Sequence, residues 1–356
     1  MAVALGRSGA LLRGAPRCAI YAVRYQHTAS SVDPADIAHF SRLANEWWNE
    51  QGEFAPLHRM NRVRIEFMRQ KLEEVRGWDA ALADVCGAEH VPPPLPTPAF
   101  LTGQHMLDVG CGGGILAESA ARLGARVTGV DASEENIRIA STHAAQDPAI
   151  CLRAQGDVPG TADGSLLYVH SSAEALREAG HQFDIVTAME VVEHVHRPDT
   201  FLRCLADLIK PGGHLFLSTM SRTALSYFLT IFMAEDVLRV VTPGTHRHSQ
   251  YINPHEMVAF FRELGWIPTE QDVLAHRATL PDGSHVAPRP SRLQFETRGT
   301  MYVPMLGRWV LAPPMTADEA ATHSPRPTWL PTWLGGGMRP TELCNYFFWI
   351  RRPFAT

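Results

Sequence analysis

Residues 110–114, Gly-Cys-Gly-Gly-Gly, lie between an apolar run typical of a buried strand and an apolar run typical of a helix. Because glycine adopts positive φ and has no Cβ, such a turn lets backbone N–H groups at a helix N-terminus approach a ligand closely. A second strand, predicted at residues 126–130, ends on Asp131, whose carboxylate can accept hydrogen bonds from both hydroxyls of a ribose. The two features predict a site for a nucleoside-containing cofactor.

The spacing of the glycines does not match two common nucleotide sites. A dinucleotide-binding turn has glycines at its first, third and sixth positions, and the sixth position counted from Gly110 is Ile115. A P-loop needs Gly-Lys-Ser or Gly-Lys-Thr, which does not follow here. Residues 107–114, Leu-Asp-Val-Gly-Cys-Gly-Gly-Gly, resemble the first motif of S-adenosylmethionine (SAM)-dependent methyltransferases. The resemblance implies SAM over the glycines and its ribose on Asp131; the alternative is a turn that only packs a helix on a strand.

A second polar group, Glu190, Glu193 and His194, follows the strand predicted at residues 184–189. Ligands of parallel α/β sheets bind at the carboxyl ends of strands, so this group faces the same crevice as the glycine turn. If a helix begins here, residues at i, i+3 and i+4 share one face and the three side chains converge. Their oxygen-rich set favours a hard divalent ion such as Mg²⁺. The alternative is a polar pair, Glu193 and His194, at a helix start, with Glu190 facing solvent.

Several motifs together resemble the ubiquinone-biosynthesis O-methyltransferases of bacteria and mitochondria over about residues 40–275. The most specific are residues 52–59, Gly-Glu-Phe-Ala-Pro-Leu-His-Arg, and the Glu-x-x-Glu-His group at residues 190–194. The family's magnesium site matches the three residues of the second polar group. The family's SAM contacts match residues spread along the chain: Arg64, Gly110, Asp131 and Met189.

This resemblance implies SAM-dependent O-methylation of polyprenylated catechols, namely polyprenyl dihydroxybenzoate and demethylubiquinol. A phenolic hydroxyl has a pKa near ~10, so a chelated divalent ion would help by stabilising the phenolate. His246 matches a family position and is the candidate general base, and His58 is a second candidate. Two alternatives stay open: a metal-independent methyltransferase of another small molecule, and a non-catalytic SAM-binding subunit of a biosynthetic complex.

Alternating predicted strands and helices favour an α/β fold with a doubly wound, mostly parallel sheet. The resemblance implies the seven-stranded, Rossmann-like class I SAM-methyltransferase fold, preceded by N-terminal helices. We divide the chain into a helical cap with a proline-rich linker at residues 31–100 and a methyltransferase domain at residues 101–356. Strands are predicted at 105–109, 126–130, 166–170, 184–189, 214–219 and 345–350, and helices at 34–48, 61–74, 114–123, 134–143, 173–179, 198–209 and 253–264. The roles of residues 146–165 and 312–340 are left open.

One apolar segment, residues 223–241, lies inside a stretch near residues 221–250 that we expect to face the substrate or a membrane. It carries Leu225, Phe228 and Phe232 at helical spacing and is too short to span a bilayer. The segment suits an interfacial or tail-binding helix, and the alternative is a helix that covers the core.

The first 30 residues contain four arginines and no acidic residue, which is the composition of a mitochondrial transit peptide. Without them the formal net charge changes from −5 to −9, which leaves no general attraction to nucleic acid. The resemblance implies a peripheral position on the matrix side of the inner membrane and membership of a multi-subunit ubiquinone-biosynthesis complex. The six cysteines show no CxxC pair, so we interpret them as reduced thiols.

Overall fold

The computed structural model describes residues 31–86, 93–153, 162–268, 290–314 and 331–354. The predicted transit peptide lies outside these residues, as do residues 154–161 of the stretch at 146–165 and residues 315–330 of the stretch at 312–340. Within the described residues one sheet contains nine strands. They are β1 (His105–Val109), β2 (Arg126–Asp131), β3 (Cys151–Leu152), β4 (Ser165–His170), β5 (Phe183–Met189), β6 (Ile209–Met220), β7 (Phe295–Val303), β8 (Arg308–Leu311) and β9 (Asn345–Arg351).

The strand order is β3-β4-β2-β1-β5-β6-β9-β7-β8. The strands from β3 to β6 in this order pair in parallel, and β9, β7 and β8 pair antiparallel. Seven of the strands, β4-β2-β1-β5-β6-β9-β7, make up the predicted doubly wound sheet, and the short strands β3 and β8 extend its two edges. The predicted fold class is therefore confirmed, and all six predicted strands are present with ends within a few residues.

Strand β7 was not predicted, because its sequence lacks the apolar pattern of a buried strand. It carries Glu296 and Arg298, which are 0% and 3% exposed. Arg298 forms an ion pair with Glu296 at 3.0 Å, and the fully buried Lys71 forms a second ion pair with Glu296. Buried charges are tolerated when they are paired, and sequence alone does not show the pairing.

The helices lie on both faces of the sheet and in an N-terminal cap. The 31-residue α2 extends well beyond the helix predicted at residues 61–74. The segment predicted as a helix at 223–241 forms one turn of α-helix, α7, followed by a π-helix, Tyr227–Val237. The α-helices are α1 (Pro34–Arg42), α2 (Ala55–Val85), α3 (Ile115–Arg122), α4 (Glu134–Ala144), α5 (Ala173–Glu178), α6 (Pro198–Asp207), α7 (Ala224–Ser226) and α8 (Pro254–Glu263).

The alternation of side chains along β1 explains why the sheet is covered on both faces. Successive residues of a strand point to opposite faces, so Met106 packs in one apolar cluster and Leu107 in the other. The first cluster includes Phe67 of α2, whose ring stacks on Phe347 of β9 at 5.3 Å. The second includes Phe261 of α8. Two buried faces hold the strand ends rigidly at the edge where the cavity described below opens.

Candidate functional site

A cavity of about 850 Å³ opens at the carboxyl ends of the central parallel strands. Gly110 follows β1, Asp131 ends β2 and Met189 ends β5, and all three line it. Arg64 reaches the same cavity from α2. The four residues predicted to contact the cofactor therefore share one cavity, although up to 125 positions separate them in the sequence.

The glycine turn has a backbone that other residues rarely adopt. Gly110, Gly112 and Gly114 have φ of 67°, 54° and 91°. The N–H groups of Gly110 and Cys111 donate to the carbonyl of Val130, at 2.8 and 3.0 Å, which ties the turn to β2. The turn leads directly into α3, so the helix N-terminus faces the cavity as a binding site for a polar ligand requires.

The Asp131 carboxylate is held in place by three donors. Its Oδ2 accepts the N–H of Gly112 at 2.9 Å, and its Oδ1 accepts the N–H of Ser133 at 2.8 Å and the amide of Asn136 at 3.1 Å. Burial raises the pKa of Asp131, and the N–H groups of Ser133 and Gly112 oppose that shift. Oδ2, which accepts one of the three, keeps further acceptor capacity, so the carboxylate is preorganised to accept hydroxyl donors from the cavity.

Two tryptophans of the N-terminal cap pack on the glycine turn. The indole of Trp48 donates to the carbonyl of Gly113 at 2.9 Å. Trp47 donates to the side chain of Asn136 at 2.9 Å and stacks on Phe54 with ring centroids 3.8 Å apart. A Cβ on Gly113 would lie 2.4 Å from the Cβ of Trp47, so only glycine fits there. The cap is therefore a wall of the site, which the sequence indicated only through the nearby motif at residues 52–59.

Arg64 is a buried cation with free hydrogen-bonding capacity. It is 4% exposed, and its Nε and Nη2 have no hydrogen-bond partner. Burial lowers its pKa, while the charges of Glu190, Asp108 and Glu193 act in the opposite sense. A guanidinium held this way can bind a carboxylate through two parallel hydrogen bonds.

Asp108 of β1 gives the protein a testable pH dependence. It is 3% exposed and accepts a hydrogen bond from Thr187 Oγ1 at 2.7 Å. Burial raises its pKa from 3.8 to about 6, so between these values the folded state binds more protons than the unfolded state. Stability conferred by this group is present below about pH 4 and is lost as pH rises to about 6, by on the order of 2–3 kcal/mol.

We expect the Asp108→Asn variant to lose that pH dependence. Urea unfolding of the protein and of the Asp108→Asn variant between pH 4 and 7 measures this dependence. The difference between their free energies of unfolding should change by about 1 kcal/mol or more over that range. Parallel curves over the whole range would show that Asp108 titrates normally.

The two glutamates of the predicted metal site interact electrostatically. Glu193 is 2% exposed, and its Oε2 accepts a hydrogen bond from Thr219 at 2.9 Å. Burial, and after it the charge of Glu190, raises the pKa of Glu193 to about 8. Oε1 of each glutamate is buried without a hydrogen-bond partner. Such a pair of unpartnered carboxylate oxygens fits a hard divalent cation.

The third predicted ligand, His194, does not join this pair as expected. Glu190 has a left-handed backbone with φ of 57°, and only a three-residue 3-10 turn, Val192–His194, follows it. The helical face that would bring the three side chains together is therefore not formed. His194 Nδ1 lies 3.3 Å from Asp36 Oδ2 instead. Over the residues that the structure describes, no three metal-ligating side chains form a group suited to a metal.

The two candidate general bases differ in their contacts. His246 lines the cavity, and its Nδ1 lies 2.6 Å from the carboxylate of Glu235. His58 Nε2 is hydrogen-bonded to the backbone carbonyl of Trp47 at 2.7 Å, and its ring lies against Trp48. His58 is thus a structural residue of the cap, and His246 is the candidate base that the cavity contains.

Sequence reasoning missed several residues of the site. Asn136 links the cap to Asp131, Asp36 contacts His194, and Glu235 contacts His246. Asn136 lies near the start of α4, directly after β2, where a polar residue signals a ligand or cap contact. Asp36 and Glu235 gave no signal, because their partners are 158 and 11 positions away in unrelated motifs.

Comparison with known proteins identifies the kind of domain that holds this cavity. A family model described as a methyltransferase domain matches residues 63–271. A ubiquinone biosynthesis O-methyltransferase of Brucella anthropi is 40% identical over 236 residues, which cover 66% of this chain and 83% of that protein. One of Caulobacter vibrioides is 43% identical over 230 residues, covering 65% and 80%. Among solved structures, magnesium protoporphyrin IX methyltransferase from Synechocystis aligns over 80% of this chain and 83% of its own length. The two share 15% sequence identity, and the TM-score is 0.37.

Proposed function

We propose that this chain, which belongs to the family of the ubiquinone biosynthesis O-methyltransferases, transfers the methyl group of SAM to a hydroxyl of a polyprenylated catechol. The protein is a SAM-dependent methyltransferase acting in ubiquinone biosynthesis. The observation that carries the finer proposal is the cavity itself, which joins the cofactor residues to an apolar wall that contains Phe228, Leu229 and Met233. Its volume of about 850 Å³ leaves room for an acceptor beside the cofactor.

Each residue of the cofactor site has a role that follows from its contacts. The Asp131 carboxylate would accept the two ribose hydroxyls, and the glycine turn would lie beneath the methionine part. The unpartnered nitrogens of Arg64 would bind the carboxylate of that methionine. Met189, 7% exposed at the end of β5, would contribute apolar contact.

Methyl transfer requires a phenolate and a dry, oriented site. The phenolate oxygen forms a bond to the methyl carbon, the bond from sulfur to that carbon breaks, and the electron pair stays on sulfur. An anion and a sulfonium cation become neutral products, so an apolar wall that excludes water favours the reaction. Holding both reactants in one cavity removes the entropic cost of bringing them together.

We also propose that a divalent cation is held by Glu190 and Glu193 through their unpartnered oxygens. Such an ion, when bound, would stabilise a catechol as its phenolate. The support is that each of the two carboxylates has one buried oxygen without a hydrogen-bond partner. His194, whose Nδ1 faces Asp36, keeps its Nε2 to offer to such an ion.

Chelation tests this metal proposal. We expect the purified protein to methylate a prenylated dihydroxybenzoate, to lose this activity in EDTA, and to regain it with Mg²⁺. We expect the double variant Glu190→Gln/Glu193→Gln to lose activity about 100-fold or more while it still binds SAM. Glu135→Gln, an exposed change on α4, is the matched control.

The other outcomes favour the two alternatives. Activity that is indifferent to EDTA and to the glutamate changes would establish a metal-independent methyltransferase. Absence of product with SAM bound would favour a different acceptor or a non-catalytic subunit. Mass spectrometry of the acceptor and calorimetry with SAM separate these cases.

We propose peripheral contact with a membrane through the segment of residues 223–241. Phe228 and Phe232 are 48% and 44% exposed, and Phe228 also lines the cavity. Apolar side chains at a cavity mouth suit delivery of a lipid-like tail from a bilayer. Among the described residues no helix is long and apolar enough to cross a membrane. Mitochondrial import, the matrix side of the inner membrane and membership of a complex stay predictions from the sequence.

A further inference from the structure

We propose that Glu235 is a positioning residue, which holds His246 in the tautomer and orientation of a general base for the acceptor hydroxyl. The inference rests on the proposed methyl transfer and specifies how its proton is removed.

Glu235 is an unusual residue for its surroundings. It belongs to the π-helix Tyr227–Val237, whose other residues are mostly apolar, and it is the buried one among them at 1% exposed. Burying a carboxylate costs free energy unless hydrogen bonds satisfy it, so an apolar side chain at this position would be easier to bury. π-Helical turns occur frequently at functional sites, since they direct one side chain away from the regular helical spacing.

Both oxygens of Glu235 are used on the loop that carries His246. Oε2 accepts the N–H of Gly244 at 2.7 Å, and Oε1 accepts the N–H of His246 at 2.9 Å. Oε1 also lies 2.6 Å from Nδ1 of the His246 ring. An ionised carboxylate only accepts hydrogen bonds, so Nδ1 must carry the proton. The ring is then left with an unprotonated Nε2 to offer to a ligand.

Other histidines near the site lack this arrangement. His58 and His248 bond through Nε2 to the backbone carbonyls of Trp47 and Thr223, which places the proton on Nε2. Neither of the two lines the cavity. His194 does line it, but its carboxylate partner Asp36 is farther away, at 3.3 Å, and also faces Arg247 at 4.0 Å. Glu235 and His246 thus form a close carboxylate–imidazole pair at the cavity, and its carboxylate is buried.

The reaction step that this pair supports is balanced. The acceptor's O–H proton passes to Nε2 of His246, and the resulting phenolate forms a bond to the SAM methyl carbon as the bond to sulfur breaks. The imidazolium, stabilised by the adjacent carboxylate, later returns its proton to solvent. A general base of this kind contributes about 10²–10⁴-fold to the rate.

A double-mutant cycle tests the proposal on the full-length protein. We expect His246→Asn and Glu235→Gln each to lower kcat by about 100-fold. The KM for SAM and for the acceptor should change little. The double variant should be no slower than His246→Asn alone, because Glu235 acts through the histidine. His248→Asn, on the same loop but outside the cavity, should keep its activity.

Acceptor acidity separates the base role from a structural one. A nitro-substituted analogue of the prenylated dihydroxybenzoate is already ionised at the assay pH and needs no base. We expect both variants to methylate this analogue at a rate within about threefold of the unsubstituted protein. If Glu235 only fixes the loop, Glu235→Gln will lower kcat with the analogue as well. Its effect on kcat will then also add to the effect of His246→Asn in the double variant. Either result overturns the proposal.

A measurement on the unsubstituted protein covers the case in which Glu235→Gln fails to fold. Nitrogen-15 spectra of histidine-labelled protein, with His246 assigned from the His246→Asn variant, report the tautomer. We expect the Nδ1-protonated form, and the Nε2-protonated form would overturn the proposal. If the protein without any amino-acid change methylates neither acceptor, the proposed function is wrong. That outcome differs from one in which only the proposed role of Glu235 and His246 is wrong.

Discussion

Replacing Asp131 with alanine is expected to weaken SAM binding about 100-fold. The carboxylate faces the cavity and is already aligned by the N–H groups of Gly112 and Ser133 and by the amide of Asn136. Its loss would remove the proposed charge-assisted hydrogen bonds to the ribose, together about 3 kcal/mol, and each factor of ten in affinity corresponds to about 1.4 kcal/mol. It also frees the Gly112 N–H, which loosens the turn beneath the cofactor.

Calorimetric titration with SAM measures this effect. Glu134→Ala is the matched control, because it removes a carboxylate three positions away that is exposed on α4. The control should bind SAM within about threefold of the unsubstituted protein. An Asp131→Ala dissociation constant in that same range would show that the ribose is held elsewhere.

Replacing Gly114 with alanine is expected to lower the free energy of unfolding by about 3 kcal/mol or more. Gly114 has φ of 91°, and a Cβ there would lie 2.0 Å from Tyr168 Oη and 2.8 Å from Tyr168 Cζ. Left-handed backbone costs roughly 1–2 kcal/mol for a residue with a Cβ, and overpacking adds about 1–3 kcal/mol. Because Gly114 directly precedes α3, the same shift should distort the glycine turn and reduce SAM affinity.

Two further variants separate backbone strain from steric overlap. Gly180 has φ of 75°, and no heavy atom lies within 4 Å of the position that a Cβ would take there, so Gly180→Ala should cost only about 1–2 kcal/mol. Tyr168 Oη is buried without a hydrogen-bond partner, so Tyr168→Phe alone should cost little stability. The double variant Gly114→Ala/Tyr168→Phe should recover only part of the lost stability, because Cζ of the ring at position 168 still lies close to the added Cβ. Equal losses for Gly114→Ala and Gly180→Ala in urea unfolding would rule out the overlap with Tyr168.

The central sheet follows directly from local sequence patterns. Apolar runs of strand length alternate with amphipathic helices from residue 105 to residue 220, so each element is specified by its own residues. Helix starts such as Ser133 and Ser172 carry caps that accept the expected backbone N–H groups. The strand of the charged sequence around Glu296 was missed for the opposite reason, because its stability depends on Lys71 in a distant helix.

Within the site, the residues that a local rule places at strand ends could be predicted from the chain alone. Gly110 and Asp131 each follow from a strand and the turn or acid at its end, and the parallel sheet brings them together. Met189, at the end of another strand, was indicated only by the family resemblance. The nearby Glu190 was found by the same strand-end rule. The helix on which its predicted convergence with His194 depended is not formed, because Glu190 has a left-handed backbone and only a 3-10 turn follows.

The pairing of the polar groups, by contrast, is set by how the elements pack. Arg64 has unpartnered nitrogens among three carboxylates, His194 lies beside Asp36, and Glu235 is buried against His246. Some of these contacts join segments that are far apart along the chain. The contact of Glu235 depends on a π-helix, which residue propensities do not predict. The physical reason is that periodicity reports which face of an element is buried, whereas the partner of a buried charge depends on how whole elements come together.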